Sequence, residues 1–562
     1  MRKLTFLLTC LFLVGVGLVN AQSRSVSGSV FSADDGQPVI GATVKVKGTT
    51  EGTITDTDGK FRINVPASGK NLLISFVGMK TIEVEAKNDV VIKLEADAKQ
   101  MDEVVVTAVG IKRSQKSLGY AASTMAPEDA LNKSQPDFLK ELQGNVAGVD
   151  VRSSQGTPGA ATRINIRGNS SFFGDNEPLI IVDGVPIGND QVATTSQTSG
   201  GGAYSNGFSS IDPNDIATMT VLKGSAAAAL YGSRASNGVI IIKTKSGNVG
   251  GMKKKLEVTL NSSWSTESIA NLPDYQNLYG AGSNFSYSNA NGSWGAKFGT
   301  LDSIPLQNSD WKKYYPKSFP SSGNIAYKAQ PNNVKDLFKT GLVAENSINL
   351  AGGNGKSAFN VTLSNLDQTG YVPNSSYGRT SISVGGSSEL ANGLTIRGSV
   401  SFTNTKQLGS QFGENQVSGA SSSFARALFL ARNWDIAGQP YETPTGLPIS
   451  TSNAQYDNPL WDFQHNTVNT NVDRVMSNFS AEYKILDWLS ASYQLGSSIY
   501  SLDRKEIIDI GSRAAGGKGD IKTDIYRHAE FESNFLLTAQ KDLFDDNFSV
   551  KFIFRVVSLV LE

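Results

Sequence analysis

The sequence predicts a mainly β protein in three parts: a small β-sandwich, a compact α/β unit, and an antiparallel transmembrane β-barrel. Three observations predict it. Between residues 26 and 94, short β-prone runs alternate with turn residues. From residue 256 onward, apolar and polar residues alternate in segments joined by short turns on one side and long Asn/Ser/Gly-rich connections on the other. After the N-terminus there is no apolar run of the ~18 residues a spanning helix needs, whereas barrel strands hide their apolar face by alternation.

Composition narrows the function classes. The 562 residues carry 51 basic and 51 acidic side chains, a net charge of +0, so there is no global footprint for nucleic acid. The 56 glycines suit a chain of strands and turns. Residues 1–21 read as a secretory signal: Arg2 and Lys3, an apolar run over 4–19, and a small-residue cleavage site after Ala21. The single cysteine, Cys10, lies inside that apolar run, too early for a lipoprotein cysteine. The mature chain then has no disulfide, no thiolate metal site and no Cys nucleophile. The two histidines, His465 and His528, are far apart in sequence and support neither a His-rich metal site nor a His-based triad.

The sandwich is expected over 25–96, with strands at 26–31, 42–46, 52–54, 61–65, 71–76, 81–84 and 90–94. Asp56 and Asp58 before Gly59 suggest a calcium loop, but Ala67 stands where the EF-hand pattern needs Glu, so a plain turn is expected. Residues 99–113, KQMDEVVVTAVGIKR, form an apolar β-prone run flanked by charge. Such a segment can add as a strand to an exposed sheet edge or pack as a buried strand.

The densest stretch is 162–247. Residues 163–167 alternate as a half-buried strand that ends at Gly168. Residues 178–182 form a short apolar strand, and Asp183-Gly184 supplies a hairpin turn into 185–187. Asp212-Pro213 reads as a helix cap followed by Pro at the first helical position. Gly224 opens a short Ala-rich helix that ends near Gly232, and Asn237-Gly238 turns the chain into the β-branched run 239–242. A short helix is also expected over 136–142. The Ser/Thr/Gly-rich segment 188–207 reads as a loop.

The barrel strands are expected at 256–264, 347–350, 358–364, 381–387, 394–402, 476–483, 489–500, 531–539 and 548–554. Short turns fall at 352–356, 391–393 and 486–488, and long connections at 271–346 and 407–474. Trp264, Tyr483, Trp488 and Tyr500 lie near strand ends, where interfacial aromatics sit. Trp294, Trp311, Tyr314 and Tyr315 lie in a long loop, available for ligand stacking or loop packing.

The motifs IRG, PLIIVDGVPI and VLKG followed by GSRASNGVIIIKTK resemble the plug domain of TonB-dependent outer-membrane transporters of the SusC/RagA type. Residues 36–66 resemble the carboxypeptidase-regulatory-like module that precedes such plugs. The resemblance implies a plug over 114–248 and a barrel from 255 to 562. It also implies a TonB box in which Asp102, Glu103, Val104, Val105, Val106 and Thr107 pair with a strand of TonB. Ala108-Val109-Gly110 departs from the family's usual continuation. Arg163, Arg167 and Arg234 are expected to contact the barrel wall, and Gly168, Asp183, Gly184, Gly224, Gly232 and Gly238 to make the plug's turns.

The implied function is TonB-driven import of a glycan or oligopeptide across the outer membrane, with ExbB and ExbD energising TonB. A SusD/RagB-like surface lipoprotein would capture the substrate. The resemblance implies periplasmic N-terminal domains, contact with outer-membrane lipid, no metal, no cofactor and no enzymatic step. A plugged barrel closes with about 22 strands of ~9–11 residues each, and residues 255–562 hold roughly half of that, so an incomplete barrel is expected. Two other readings stay open: a surface-binding or adhesin protein, and a non-functional truncated transporter. A secreted carboxypeptidase lacks the metal-ligand set it would need.

Overall fold

The computed structural model describes most of the chain from residue 24 to 561. Outside the description lie 1–23, 96–103, 107–111, 115–120, 126–137, 189–202, 225–230, 247–254, 411–422, 451–455 and 544–547, with the short stretches 34–35, 50, 67–68, 77–78, 154–155, 170, 173–175, 291, 307 and 562. The expected signal segment, the Ala-rich helix after Gly224 and most of the 188–207 loop therefore fall outside the described residues. The chain divides into two compact units.

The first unit is the sandwich. Its strands are β1 (Arg24–Ser32), β2 (Thr43–Val46), β3 (Gly52–Ile54), β4 (Lys60–Val65), β5 (Asn71–Ser75), β6 (Ile82–Glu85) and β7 (Val90–Leu94). They form two sheets, β4-β1-β7 and β3-β2-β5-β6. Strict alternation drives the packing: in β4, Phe61, Ile63 and Val65 point inward while Lys60, Arg62 and Asn64 face water. Val30, Val44, Val46, Leu72, Ile74 and Leu94 fill the core. Asp56 closes its turn by accepting from the backbone N–H groups of Asp58 and Lys60, which is the plain turn expected.

Val104–Val106 (β8) pairs with Lys112–Ser114 (β9) in a two-stranded sheet. Asp102, Glu103 and Thr107 of the expected TonB box lie outside the described residues.

The second unit holds the plug and the wall. The plug strands are β10 (Ala121–Met125), β11 (Val149–Ser153), β12 (Thr162–Ile166), β13 (Leu179–Val182), β14 (Val185–Ile187), β15 (Ile216–Lys223) and β16 (Val239–Thr244). Five of them form a sheet in the order β10-β15-β16-β13-β14, parallel only between β13 and β16, and β11 pairs with β12. Strand β16 sits in the middle, so its Val-Ile-Ile-Ile run is buried on both faces. Each such buried side chain contributes about 1.5–3 kcal/mol. The helix expected at 136–142 is a 3-10 turn, Phe138–Leu142, with Leu139 and Leu142 in the plug core.

The wall begins with β17 (Glu257–Glu267). Two small hairpins follow in its loop: β18 (Gly282–Ser283) with β19 (Ser286–Tyr287), and β20 (Ser303–Pro305) with β21 (Asn324–Ala326). Then come β22 (Gly341–Gly353), β23 (Ser357–Thr369), β24 (Ser376–Glu389), β25 (Leu394–Ser410), β26 (Thr467–Leu486), β27 (Leu489–Ile508), β28 (Asp520–Leu543) and β29 (Phe548–Leu561). With β17 they make one nine-stranded sheet, antiparallel throughout and in chain order after β17.

Register shows the two faces directly. Leu260, Ile348, Leu363, Ile382, Phe402, Val475 and Ile499 stand opposite one another across seven strands, and all are exposed. One residue along, Ser347, Ser364, Ser381, Thr403, Arg474 and Tyr500 form the matching row on the other face, and all are buried. An apolar exterior with a polar interior is the pattern of a barrel wall in lipid.

The strands run well past their expected ends. Residues 341–346 and 467–474, expected as loop, belong to β22 and β26. In β26 the outward positions there are polar (Asn469, Asn471, Asp473), so the apolar alternation stops before the ladder does, whereas β22 keeps an exposed Leu342 beyond Asn346. Tyr500 is also corrected. Its parity puts it on the inner face, beneath the Arg474 guanidinium at 4.5 Å, rather than in an interfacial girdle. Trp264, Tyr483 and Trp488 are exposed, as the girdle reading expects.

Candidate functional site

The candidate site is the interface between plug and wall. It is built mainly from two tight turns of the plug and the polar inner face of the sheet.

The first turn follows Phe208–Ile211. Asp212 caps a 3-10 turn, Pro213–Asp215, by accepting from the backbone N–H of Asn214, with Pro at the first position as expected. The same short turn presents three side chains to the wall. Ser364 of β23 donates its hydroxyl to Asp212 at 2.5 Å. Ser347 of β22 donates to the side-chain Oδ1 of Asn214 at 3.0 Å, and the Asn214 side-chain amide donates to Glu345 at 2.9 Å. Thr362 of β23 donates to Asp215 at 3.1 Å. Above them Arg379 of β24, 2% exposed, lies 3.1 Å from Glu345 and 3.9 Å from Asp212 and donates to the Ile211 carbonyl.

The second turn is Asp183-Gly184. Both residues take positive φ, 50° and 89°, the conformation a two-residue hairpin needs between right-twisted strands. The Asp183 carboxylate accepts from the backbone N–H and the hydroxyl of Thr244, tying the turn to the end of β16. Its backbone carbonyl accepts from Asn478 of β26 and from Gln494 of β27, the latter at 2.6 Å. A side chain at Gly184 would meet Gln494 at 2.4 Å. The wall yields in the same way. A Cβ at Gly385 would lie 1.8 Å from the Ser246 carbonyl, and one at Gly496 2.0 Å from Val185, so glycine in the wall lets the plug strands come close.

Between the two turns lies a small, partly open cavity, lined by Val182, Asp183, Val185, Asp215 and Ser246 of the plug and by Ser399, Ser401, Met476 and Asn478 of the wall. Burial raises the Asp215 carboxyl to about 7. The Ser246 hydrogen bond opposes the rise, and the Asp183 and Asp212 charges add to it. Burial also raises Asp183, against its bonds to Thr244. Burial lowers the Lys245 ammonium, opposed by Asp215 and Asp212. Lys245 donates to the Asn214 carbonyl at 2.7 Å.

Further contacts complete the interface. Tyr204, at the end of the Gly-rich loop, donates to Glu506 at 2.8 Å beneath the Arg504 guanidinium, 3.9 Å from its ring. Gln407 donates to the Pro158 carbonyl and Tyr377 to that of Ser209. Arg234 reaches Glu530 of β28 at 3.1 Å.

The expected plug arginines behave differently from one another. Arg234 is paired with the wall. Arg163 and Arg167 are exposed; Arg163 stands opposite Arg152 of β11, and Arg167 lies just beyond β12 with its guanidinium against Gly224. Neither makes an ion pair with the wall among the described residues. At the 212–215 turn the polarity is reversed, the plug bringing carboxylates and the wall the Arg379 guanidinium, while at the Asp183 turn the wall brings only amides. Gly168, Gly224, Gly232 and Gly238 all turn the chain at positive φ. In the outer loops, Trp311 is fully buried and donates to the Pro440 carbonyl, so it packs the loop, whereas Trp294 is exposed.

Residues 26–106 match the model of the CarboxypepD_reg-like domain, and residues 115–239 match the TonB-dependent Receptor Plug Domain. The chain is 33% identical over 390 residues to the TonB-dependent receptor SusC of Bacteroides thetaiotaomicron, covering 68% of this chain and 34% of SusC. It is 28% identical over 528 residues to the TonB-dependent receptor P3 of Formosa agariphila, covering 92% of this chain and 46% of that receptor. The chain thus spans half or less of these relatives. Its fold is similar to the RagAB peptide importer in the open-open state, with a TM-score of 0.61 at 20% identity, covering 79% of this chain and 47% of that one. With both domain models, these relatives and the nine-stranded wall in agreement, the chain belongs to the SusC/RagA-type TonB-dependent receptors.

Proposed function

We propose that the chain acts in TonB-dependent import of a large nutrient, a glycan or an oligopeptide, across the outer membrane, with its N-terminal domains in the periplasm. The observation that carries the reading is the seating of the plug. Two short turns hold it through hydrogen bonds and one guanidinium against a polar inner wall whose outer face is apolar. Buried ion pairs and hydrogen bonds of this kind add little net stability but are specific in geometry. They suit a part that must be held in place and then released. Residues 102–107 are the proposed handle. There an added strand of TonB gains main-chain hydrogen bonds, and ExbB and ExbD supply the energy. A SusD/RagB-like surface lipoprotein is the proposed capture partner. The relatives' names, TonB-dependent receptors, support a TonB-coupled role.

A photo-crosslinking residue at Val105 tests the handle. In intact cells it is expected to capture TonB, and Val105→Pro, which removes a main-chain donor, is expected to prevent both capture and uptake. A chain that never crosslinks to TonB at 104–106 would contradict the reading and favour a surface-binding role.

A further inference from the structure

We propose that Asp215 is a proton-operated catch: with its carboxyl neutral the plug sits tightly on the wall, and with it ionised the plug turn is loosened.

The geometry carries this. Asp215 is 3% exposed and borders the cavity between plug and wall. One of its oxygens accepts from the Ser246 hydroxyl at 2.9 Å, the Ser246 N–H at 3.2 Å and the Thr362 hydroxyl at 3.1 Å. Those hydroxyls are contested. Ser246 and Thr362 also lie 3.3 and 3.2 Å from the side-chain oxygen of Asn360 on β23. A hydroxyl has a single proton to give. An ionised Asp215 draws both protons to itself, whereas a neutral one releases them to Asn360, so that Ser246 at the end of β16 bonds across to the wall strand while Thr362 bonds within β23.

Charge is unevenly arranged around the carboxyl. Its own turn contributes Asp212, the β13–β14 turn Asp183, and β22 Glu345, all acidic. Lys243 and Lys245 at the end of β16 and Arg379 of β24 are the cations. Lys245 is committed to the Asn214 carbonyl, and Arg379 lies between Glu345 and Asp212. Strands β25, β26 and β27 present the hydroxyls of Ser399, Ser401, Ser477, Ser497 and Ser498 and the amide of Asn478 to the cavity, and β23 brings the Thr362 hydroxyl to Asp215. No ion pair to Asp215 is present among the described residues. Burial beside the like charges of Asp183 and Asp212 favours the neutral acid.

The sign follows. A carboxyl whose pKa is raised in the seated state, here to about 7, contributes stability that is full below the ordinary carboxylate range and is lost as pH rises through about 7. The plug is then held more tightly at pH 6 than at pH 8, by about tenfold in the seating equilibrium.

The test is hydrogen exchange of the full chain in detergent, corrected for intrinsic rates, on peptides covering 207–216 and 239–246. In the unsubstituted chain protection is expected to fall about tenfold from pH 6 to pH 8. Asp215→Asn is expected to stay protected at both. Thr362→Val, which removes one donor to the ionised form, is expected to move the midpoint to higher pH, a shift that a purely structural contact would not produce. Protection independent of pH in the unsubstituted chain, or an equal fall in Asp215→Asn, would overturn the proposal. TonB takes no part in this experiment, so its outcome is separate from that of the import reading.

Discussion

Arg379 serves two carboxylates at once, and the seat of the plug depends on it. Without the guanidinium, Asp212 and Glu345 face each other in a buried site with no cation between them. Leaving one side of a buried pair uncompensated costs about 3–5 kcal/mol. Arg379→Met is therefore expected to lower the denaturant midpoint for release of the plug, and adding Glu345→Gln to restore part of the loss. An unchanged midpoint would mean that this pair does not hold the plug. Half of this site is legible in the sequence. Asp212-Pro213 can be read as a cap and Asp183-Gly184 as a turn, because both act on neighbouring backbone. Their second role cannot be read, because the partners are remote: Ser364 lies 152 positions from Asp212. The same distance explains why Arg163 and Arg167 attract attention as basic residues in a plug although they face solvent.

At the scale of the element, the nine wall strands are legible where lipid demands alternation and illegible where it does not. The apolar row from Leu260 to Ile499 marks every strand it crosses, yet β26 continues through Asn469, Asn471 and Asp473 with no apolar signal. An arginine on the lipid face near mid-membrane costs about 2–4 kcal/mol. Leu363→Arg is expected to show that loss in equilibrium unfolding from vesicles; a loss under ~0.5 kcal/mol, the level of a neutral surface change, would place Leu363 outside the lipid band. The β13–β14 hairpin is the corresponding element of the plug. Gly184→Ala puts a Cβ at φ 89° and against Gln494. The left-handed conformation alone costs about 1–2 kcal/mol. Faster exchange at Asp183 and Val185 is expected, and unchanged exchange would show that the hairpin does not bear on the wall.

For the whole molecule, sandwich, plug and wall follow from local pattern, while the coupling of plug to wall comes only from the fold. That coupling centres on the docking of the plug's 212–215 turn on β22–β24. Asn214 and Ser347 touch at 3.0 Å across that contact. With Cys10 inside the expected signal, a chain carrying Asn214→Cys and Ser347→Cys has no competing thiol once that signal is removed. The measurement is the yield of that disulfide in outer membranes under mild oxidation. Rapid, near-complete formation is expected, reduced when energised cells import substrate and restored by Val105→Pro. No disulfide under any of these conditions, in a chain that is folded and inserted, would contradict that docking.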